Sequence, residues 1–250
     1  MVPKSIQMCY YWRMSEKMKY PMRINKYLAM KGIASRREAD RFIAQGKISV
    51  NGRIAVLGDK IEENDLVEME NLNKKNVYLA YNKPRGIITH SPQGKEKSIS
   101  EINKFAPDIF PLGRLDKDSE GLILLTNDGR ITDKLLNPEN AHEKEYVVMV
   151  DKSITPDFLK IMKKGVRLDD GYLTKKCAIA QLADRNFSII LTEGKKRQIR
   201  RMCESLGYRV TELRRVRIMN IKLSSLRPGQ GKKLEGKELK AFLKELGVDN

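Results

Sequence analysis

Apolar positions along this chain fall into short runs with clear punctuation. Leu122-Ile123-Leu124-Leu125 is an unbroken apolar run between Gly121 and Gly129, the pattern of a buried strand. Residues 144–150 alternate, with Tyr146 and Val148 on one face and Val147 and Met149 on the other. Residues 77–80, 187–192 and 216–223 carry further strand patterns. A strand over 48–50 leads into Asn51-Gly52, a strong hairpin signal. Turns are expected at Gly58-Asp59, ahead of a strand over 66–69, and over 82–86.

Helices announce themselves by their caps. Ser35 and Glu38 form a capping box that opens a helix over 36–45 and puts Ala39, Phe42 and Ile43 on one face. Asn25 is the expected cap of a short helix over 26–31, closed by Gly32. Thr155 caps 156–164, with Pro156 at the first helical position. Further helices are expected over 99–105, 131–136, 197–206 and 237–246, the last two closed by Gly207 and Gly247. Strands and helices mix without strict alternation, so the fold class is α+β with a mainly antiparallel sheet.

The same pattern divides the chain. Residues 1–21 lack the apolar core of a signal peptide and are expected to be a disordered extension, native or read from an upstream start codon. Residues 22–72 form a small unit of two helices followed by short strands. Residues 73–76 are a polar linker, and 77–250 form a larger second domain.

Charge narrows the class of partner. The 250 residues carry 49 Lys and Arg against 32 Asp and Glu, a net charge of +17. A balance this basic points to a polyanion, with nucleic acid first. No stretch approaches the ~18 apolar residues that span a membrane, and mean hydropathy is −0.52. Cys9, Cys177 and Cys203 are odd in number and widely spaced, which fits a reducing cytoplasm and neither a disulfide framework nor a zinc site. With only His90 and His142 besides, chemistry here falls to a carboxylate.

The candidate is Asp116. It lies in the charged loop Gly113-Arg114-Leu115-Asp116-Lys117-Asp118-Ser119-Glu120-Gly121, at the entrance of the 122–125 strand. Loops held by rigid strands concentrate catalytic groups. The segment resembles the catalytic loop of the RsuA-type pseudouridine synthases, in which the aspartate of Gly-Arg-Leu-Asp is the nucleophile. Three further segments extend the resemblance to about residues 22–246. Leu28 to Gly52, with Ser35-Arg36-Arg37-Glu38-Ala39 and Val50-Asn51-Gly52, resembles an S4 RNA-binding domain. His142-Glu143-Lys144-Glu145-Tyr146 and Gly194-Lys195-Lys196-Arg197-Gln198-Ile199-Arg200 resemble the family's tyrosine and Gln-Ile-Arg segments.

The resemblance implies a small S4 domain followed by a pseudouridine synthase domain, and these roles. Asp116 is the nucleophile, Tyr146 stacks on the target base, and Arg200 pairs with Asp116. Arg114 enters the RNA stack in place of the flipped base. Lys26, Arg36, Arg37 and Arg41 of the first domain, with Lys195, Lys196, Arg197 and Arg201 of the second, contact RNA phosphates. Lys195 and Lys196 stand where the family often has Gly-x-Asn-Arg, a departure that leaves Arg200 in place. Attack at C6 of uracil, attack at C1′, and glycal formation after loss of the C2′ proton all draw on the same residues.

The phrase Leu173-Thr174-Lys175-Lys176-Cys177, with Arg217-Ile218-Met219-Asn220, is most similar to a branch that acts on 23S ribosomal RNA. The expected partner is therefore ribosomal RNA, with 23S first. No metal, no cofactor and no membrane are expected, and the protein is expected to be a cytoplasmic monomer. Two rivals stand beside this reading. One is an inactive S4-type factor that binds RNA on the ribosome. The other is the same chemistry on 16S ribosomal RNA or transfer RNA.

Overall fold

The computed structural model describes residues 19–31, 33–69, 76–89, 97–99 and 109–248. The expected extension up to residue 18, the closing Gly32, the linker at 73–75, His90 and the 99–105 helix beyond Ile99 lie outside those residues. Two compact units divide between Leu72 and Asn73.

In the first unit the strands are β1 (Met22–Arg23), β2 (Ile48–Val50), β3 (Arg53–Ile54), β4 (Lys60–Ile61) and β5 (Val67–Met69). Its helices are α1 (Ile24–Met30) and α2 (Arg36–Ala44). The capping box is present, with Ser35 Oγ accepting from Glu38 N–H at 3.3 Å and Glu38 Oε2 accepting from Ser35 N–H at 3.4 Å. Ala39 and Ile43 are buried against Leu28, and Phe42 packs on the same cluster. Asn51 and Gly52 turn the β2–β3 hairpin with φ of 52° and 78°. Asn25 is not the cap of α1. The apolar stripe begins at the buried Ile24 and continues at Leu28, so the helix starts earlier. Asn25 instead donates to Asp40 Oδ1 at 2.9 Å, tying α1 to α2.

The second unit is built on β6 (Tyr78–Lys83), β7 (Phe110–Leu112), β8 (Glu120–Thr126), β9 (Lys144–Val150), β10 (Ala178–Ala183), β11 (Asn186–Leu191), β12 (Val210–Ile218), β13 (Ile221–Lys222) and β14 (Gly231–Lys233). Its helices are α3 (Ile131–Leu136), α4 (Pro156–Lys164), α5 (Gln198–Ser205) and α6 (Gly236–Glu245). The main sheet runs β10-β11-β9-β12-β8-β6-β14, with β13 paired to β12 and β7 to β8. Every pairing is antiparallel except β12 with β8. Strand β12 therefore joins two halves of the sheet.

At the parallel join, Gly121 has φ of +109°, and a Cβ there would lie 2.3 Å from the Arg215 carbonyl oxygen. Only glycine lets the two backbones approach this closely. Helices α4 and α5 pack on one half through Phe158, Met162 and Met202 against Val148, Phe187 and Ile189. Helices α3 and α6 pack on the other, through Ile131, Phe242 and Leu243 against Leu122 and Leu124.

Two further expectations need correction. Asn82 and Lys83 belong to β6 and are fully buried, so the turn starts only at Pro84. Strand β12 begins at Val210, and the 216–223 pattern is its end, a turn at Met219 and Asn220, and β13. Strand β10 was not foreseen, because as an edge strand it is largely exposed and has no apolar alternation to display.

Candidate active site around Asp116

The loop between β7 and β8 is held from behind. Thr89 Oγ1 donates to the Leu115 carbonyl at 2.8 Å and accepts from Leu115 N–H at 3.1 Å. Gly86 N–H donates to the Lys117 carbonyl at 2.7 Å, and Ser119 N–H to the Asp116 carbonyl at 3.1 Å. Lys83 Nζ donates to the carbonyls of Ile87 at 2.7 Å, Ser119 at 2.8 Å and Pro84 at 3.0 Å. With the carbonyls of Leu115, Asp116, Lys117 and Ser119 all accepting hydrogen bonds, the backbone at Asp116 has little freedom.

Arg200, on α5, reaches the same loop and is 4% exposed. Its Nη2 donates to the Asp118 carbonyl at 3.2 Å and to Ser119 Oγ at 3.3 Å, and its Nη1 donates to the Val210 carbonyl at 3.2 Å. Its carboxylate partner is Asp118, at 3.2 Å, which also binds Arg197 at 3.1 Å. The expected Arg200–Asp116 ion pair is thus replaced by a pair with Asp118. Asp116 attracts the guanidinium only at longer range. Among the described residues the Asp116 carboxylate has no hydrogen bond or ion pair of its own. It lines a cleft of about 540 Å³ with Arg85, Gly86, Lys117, Asp118 and Arg197.

Burial governs the electrostatics of the surrounding cations. It lowers Lys83 to about 8, against the attraction of Asp116, Asp118 and Glu120. Burial also lowers Arg200, opposed first by Asp118. A guanidinium keeps its charge under such a shift, whereas a lysine near 8 titrates close to physiological pH.

Tyr146 is half-buried on β9, in register with Ile189 of β11 and Arg215 of β12. Arg215 is 4% exposed; its Nε donates to the Leu122 carbonyl at 2.6 Å and its Nη1 approaches the Arg114 carbonyl at 3.5 Å. It bridges the strand of Tyr146 to the loop of Asp116. The Arg114 side chain points out, exposed and without an ion pair among the described residues. Asp116, Arg114, Tyr146, Arg197 and Arg200 therefore gather around one region of the second unit.

The other predicted residues are more dispersed. Lys26, Arg36, Arg37 and Arg41 are exposed on α1 and α2 of the first unit. Lys195 Nζ lies 4.4 Å from the Tyr172 ring centroid, and Lys196 is exposed. Arg201 is committed elsewhere, to Asp169 and, at 2.8 Å, to Asp170. Sequence reasoning passed over Lys83, Thr89, Asp118 and Arg215. A lysine read as part of a turn and an arginine in the charged run Arg214-Arg215-Val216-Arg217 give no outward sign of burial. Among the described residues no group of three or more His, Cys, Asp and Glu is placed to hold a metal, and no helix is long and apolar enough to cross a membrane.

An uncommitted carboxylate in an open cleft, backed by buried cations, marks a chemical site; the basic helices of the first unit mark contact with a polyanion. Residues 77–205 match the RNA pseudouridylate synthase family and residues 22–67 the S4 domain. The dual-specificity RNA pseudouridine synthase RluF of Escherichia coli (strain K12) is 45% identical over 228 residues, covering 87% of this chain and 77% of that protein. The ribosomal large subunit pseudouridine synthase B of Bacillus subtilis (strain 168) is 36% identical over 230 residues, covering 87% of this chain and 94% of that protein. A crystal structure of pseudouridylate synthase aligns with a TM-score of 0.67 at 26% identity, over 90% of this chain and 99% of the other. The chain belongs to the RNA pseudouridylate synthase family, with an S4 domain ahead of the synthase domain. It is an isomerase whose substrate is RNA.

Proposed function

We propose that this enzyme converts a uridine of 23S ribosomal RNA to pseudouridine, with Asp116 as the nucleophile. The observation that carries the assignment is the state of the two loop carboxylates. Asp118 is occupied by Arg197 and Arg200, whereas Asp116 lines the cleft with no partner among the described residues. The reaction breaks the bond from C1′ to N1, turns the uracil, and forms the bond from C1′ to C5. The C5 proton leaves, N1 takes a proton, and the carboxylate is regenerated. Atoms and electrons balance within one nucleotide, so the chemistry calls for no redox or metal cofactor.

The remaining residues serve this step. The uridine must leave its stack to meet a side chain. Arg114, extended from the loop, fills the vacated space, and Tyr146 offers a ring face on which the base stacks. Arg200 acts on Asp116 through the loop, by fixing Asp118 and Ser119. Lys26, Arg36, Arg37 and Arg41 of the S4 domain (22–72) hold phosphates, as do Lys195, Lys196 and Arg197 of the synthase domain (77–250). Arg201 joins them only if RNA displaces its aspartates. One chain supplies Asp116, Tyr146 and Arg200, which supports a monomer, and the unpaired Cys177 and Cys203 support a reducing cytoplasm.

The choice of ribosomal RNA is supported by the name of the Bacillus subtilis relative, a ribosomal large subunit pseudouridine synthase. The name of the Escherichia coli relative carries dual specificity, so a second RNA belongs in the test. Pseudouridine should be mapped in ribosomal and transfer RNA from cells lacking the gene, then complemented with wild type or with Asp116→Asn. A 23S position lost on deletion and restored only by wild type is the expected result. Unchanged maps in every RNA would overturn the proposal and favour an inactive RNA-binding factor.

A further inference from the structure

A second cleft, of about 450 Å³, opens between α4 and the segment entering β10. Lys160, Lys163, Lys164 and Lys176 line it, together with Glu143. All four lysines are exposed, and among the described residues none has a carboxylate partner. The acid is also bound from its other side, where Arg217 Nη2 meets Glu143 at 2.9 Å and its Nε meets Glu145 at 2.7 Å. The cleft therefore presents four positive charges against the single carboxylate of Glu143, which shares Arg217 with Glu145.

Ordinary helix chemistry explains only part of this. Lys163 and Lys164 occupy the last turn of α4, where cations favour the helix dipole. Lys160 lies a turn earlier, and Lys176 comes from a separate segment. That segment is pinned to the helix end: Cys177 N–H donates to the Lys163 carbonyl at 3.2 Å, and Cys177 Sγ contacts the Met162 carbonyl at 3.2 Å. Gathering like charges on a fixed frame around one concavity costs repulsion that a polyanion relieves. The cleft adjoins the start of the strand that carries Tyr146: Glu143 precedes Tyr146 by three residues, roughly 10 Å of extended chain, on the opposite pleat.

We propose that this lysine cleft is a second phosphate-binding site, which grips the backbone of the substrate RNA beside the modified uridine. The inference rests on the reading of Tyr146 as the residue that meets the target base. Phosphate contacts of this kind set position and affinity without reading bases. Lysine suits the role as a point charge that tolerates many phosphate geometries.

The test compares wild type with Lys160→Gln/Lys176→Gln and with the variant carrying glutamine at all four positions. All are surface changes, and thermal melts check that each variant is folded. Binding of a 23S fragment containing the target uridine is measured across a salt series. Each phosphate contact contributes about 0.7 to 0.9 to the slope of log affinity against log salt, so loss of four flattens it by about 3. The double variant should lose about half of that. Affinity at low salt should fall at least about tenfold in the fourfold variant, and raising the RNA concentration should recover the pseudouridine yield. Unchanged slope and affinity in folded variants would overturn the proposal. So would intact RNA binding with loss of association to whole ribosomal particles, which would assign the cleft to an acidic protein instead. Inactivity of wild-type enzyme on every RNA would strike the proposed function, and not this site, if the slopes still differ.

Discussion

Arg200 closes on Asp118, at 3.2 Å, while Asp116, two residues earlier, has no partner among the described residues. The division separates two tasks within one loop. Asp118 anchors the loop to a buried guanidinium, and Asp116 is presented to the cleft. Replacing Asp116 with Asn should therefore reduce single-turnover isomerisation on the order of a thousandfold or more, as loss of a nucleophile does elsewhere. RNA affinity should stay within about twofold, because an isosteric amide leaves phosphate contacts alone. Robust turnover by Asp116→Asn would sink the nucleophile assignment.

Arg200 and Arg201 adjoin in sequence but differ in consequence. Arg200→Ala removes charge-assisted hydrogen bonds from a buried position and should cost about 1–3 kcal/mol of stability, together with most of the turnover. Arg201→Ala removes surface ion pairs to Asp169 and Asp170, worth about 0–1 kcal/mol. Denaturant melts and single-turnover rates for the two variants check this. Equal losses in both measurements would contradict the anchoring role of Arg200.

Lys83 gives the site a pH dependence with opposite signs for stability and activity. An unfolded lysine holds its proton to about 10.4, whereas burial lowers Lys83 to about 8. Between those values the unfolded chain binds more protons, so the contribution of Lys83 to stability rises with pH across that window. Activity moves the other way. A neutral amine has two donors for the three carbonyls of Pro84, Ile87 and Ser119, and the Asp116 loop slackens. Turnover should fall along a basic limb near pH 8, and Lys83→Met should remove that limb at a lower plateau. Lys144, lowered to about 8 chiefly by burial, is the control. A limb that survives in Lys83→Met and vanishes in Lys144→Gln would reassign it.

Gly121→Ala tests the seam of the sheet. Its Cβ would meet the Arg215 carbonyl oxygen at 2.3 Å, at a φ disfavoured for side chains. The cost should be roughly 3 kcal/mol, a drop in Tm of about 6–12 °C for a domain of this size. A variant that melts with wild type would mean that β8 and β12 do not approach as described.

Local signals in the sequence were reliable where local physics decides. The capping box at Ser35, the hairpin at Asn51-Gly52, the Thr155 cap and the alternating 144–150 strand each depend on neighbours within a few residues. The edge strand β10 and the charged strand β12 depend on distant partners, and their side chains do not advertise that. The same distinction governs the site. Asp116, Tyr146 and Arg200 stood in recognisable segments. Lys83 and Arg215 are buried cations satisfied by carbonyls from remote parts of the chain, a property that no run of letters displays. The partner of Arg200 was misread for the same reason, since a choice between carboxylates two residues apart is made by the turn and not by the motif.

The place of β12 in the sheet has a temporal consequence. Asp116 and Arg114 belong to the β8 half, Tyr146 to the β9 half, and only the strand over Val210–Ile218 unites them. A ribosome making this chain adds that strand late, after the segments carrying Asp116, Tyr146 and Arg200 have all been synthesised. Until then the nascent chain carries its reactive groups on unjoined pieces, so the site is assembled only after Val210–Ile218 has been made.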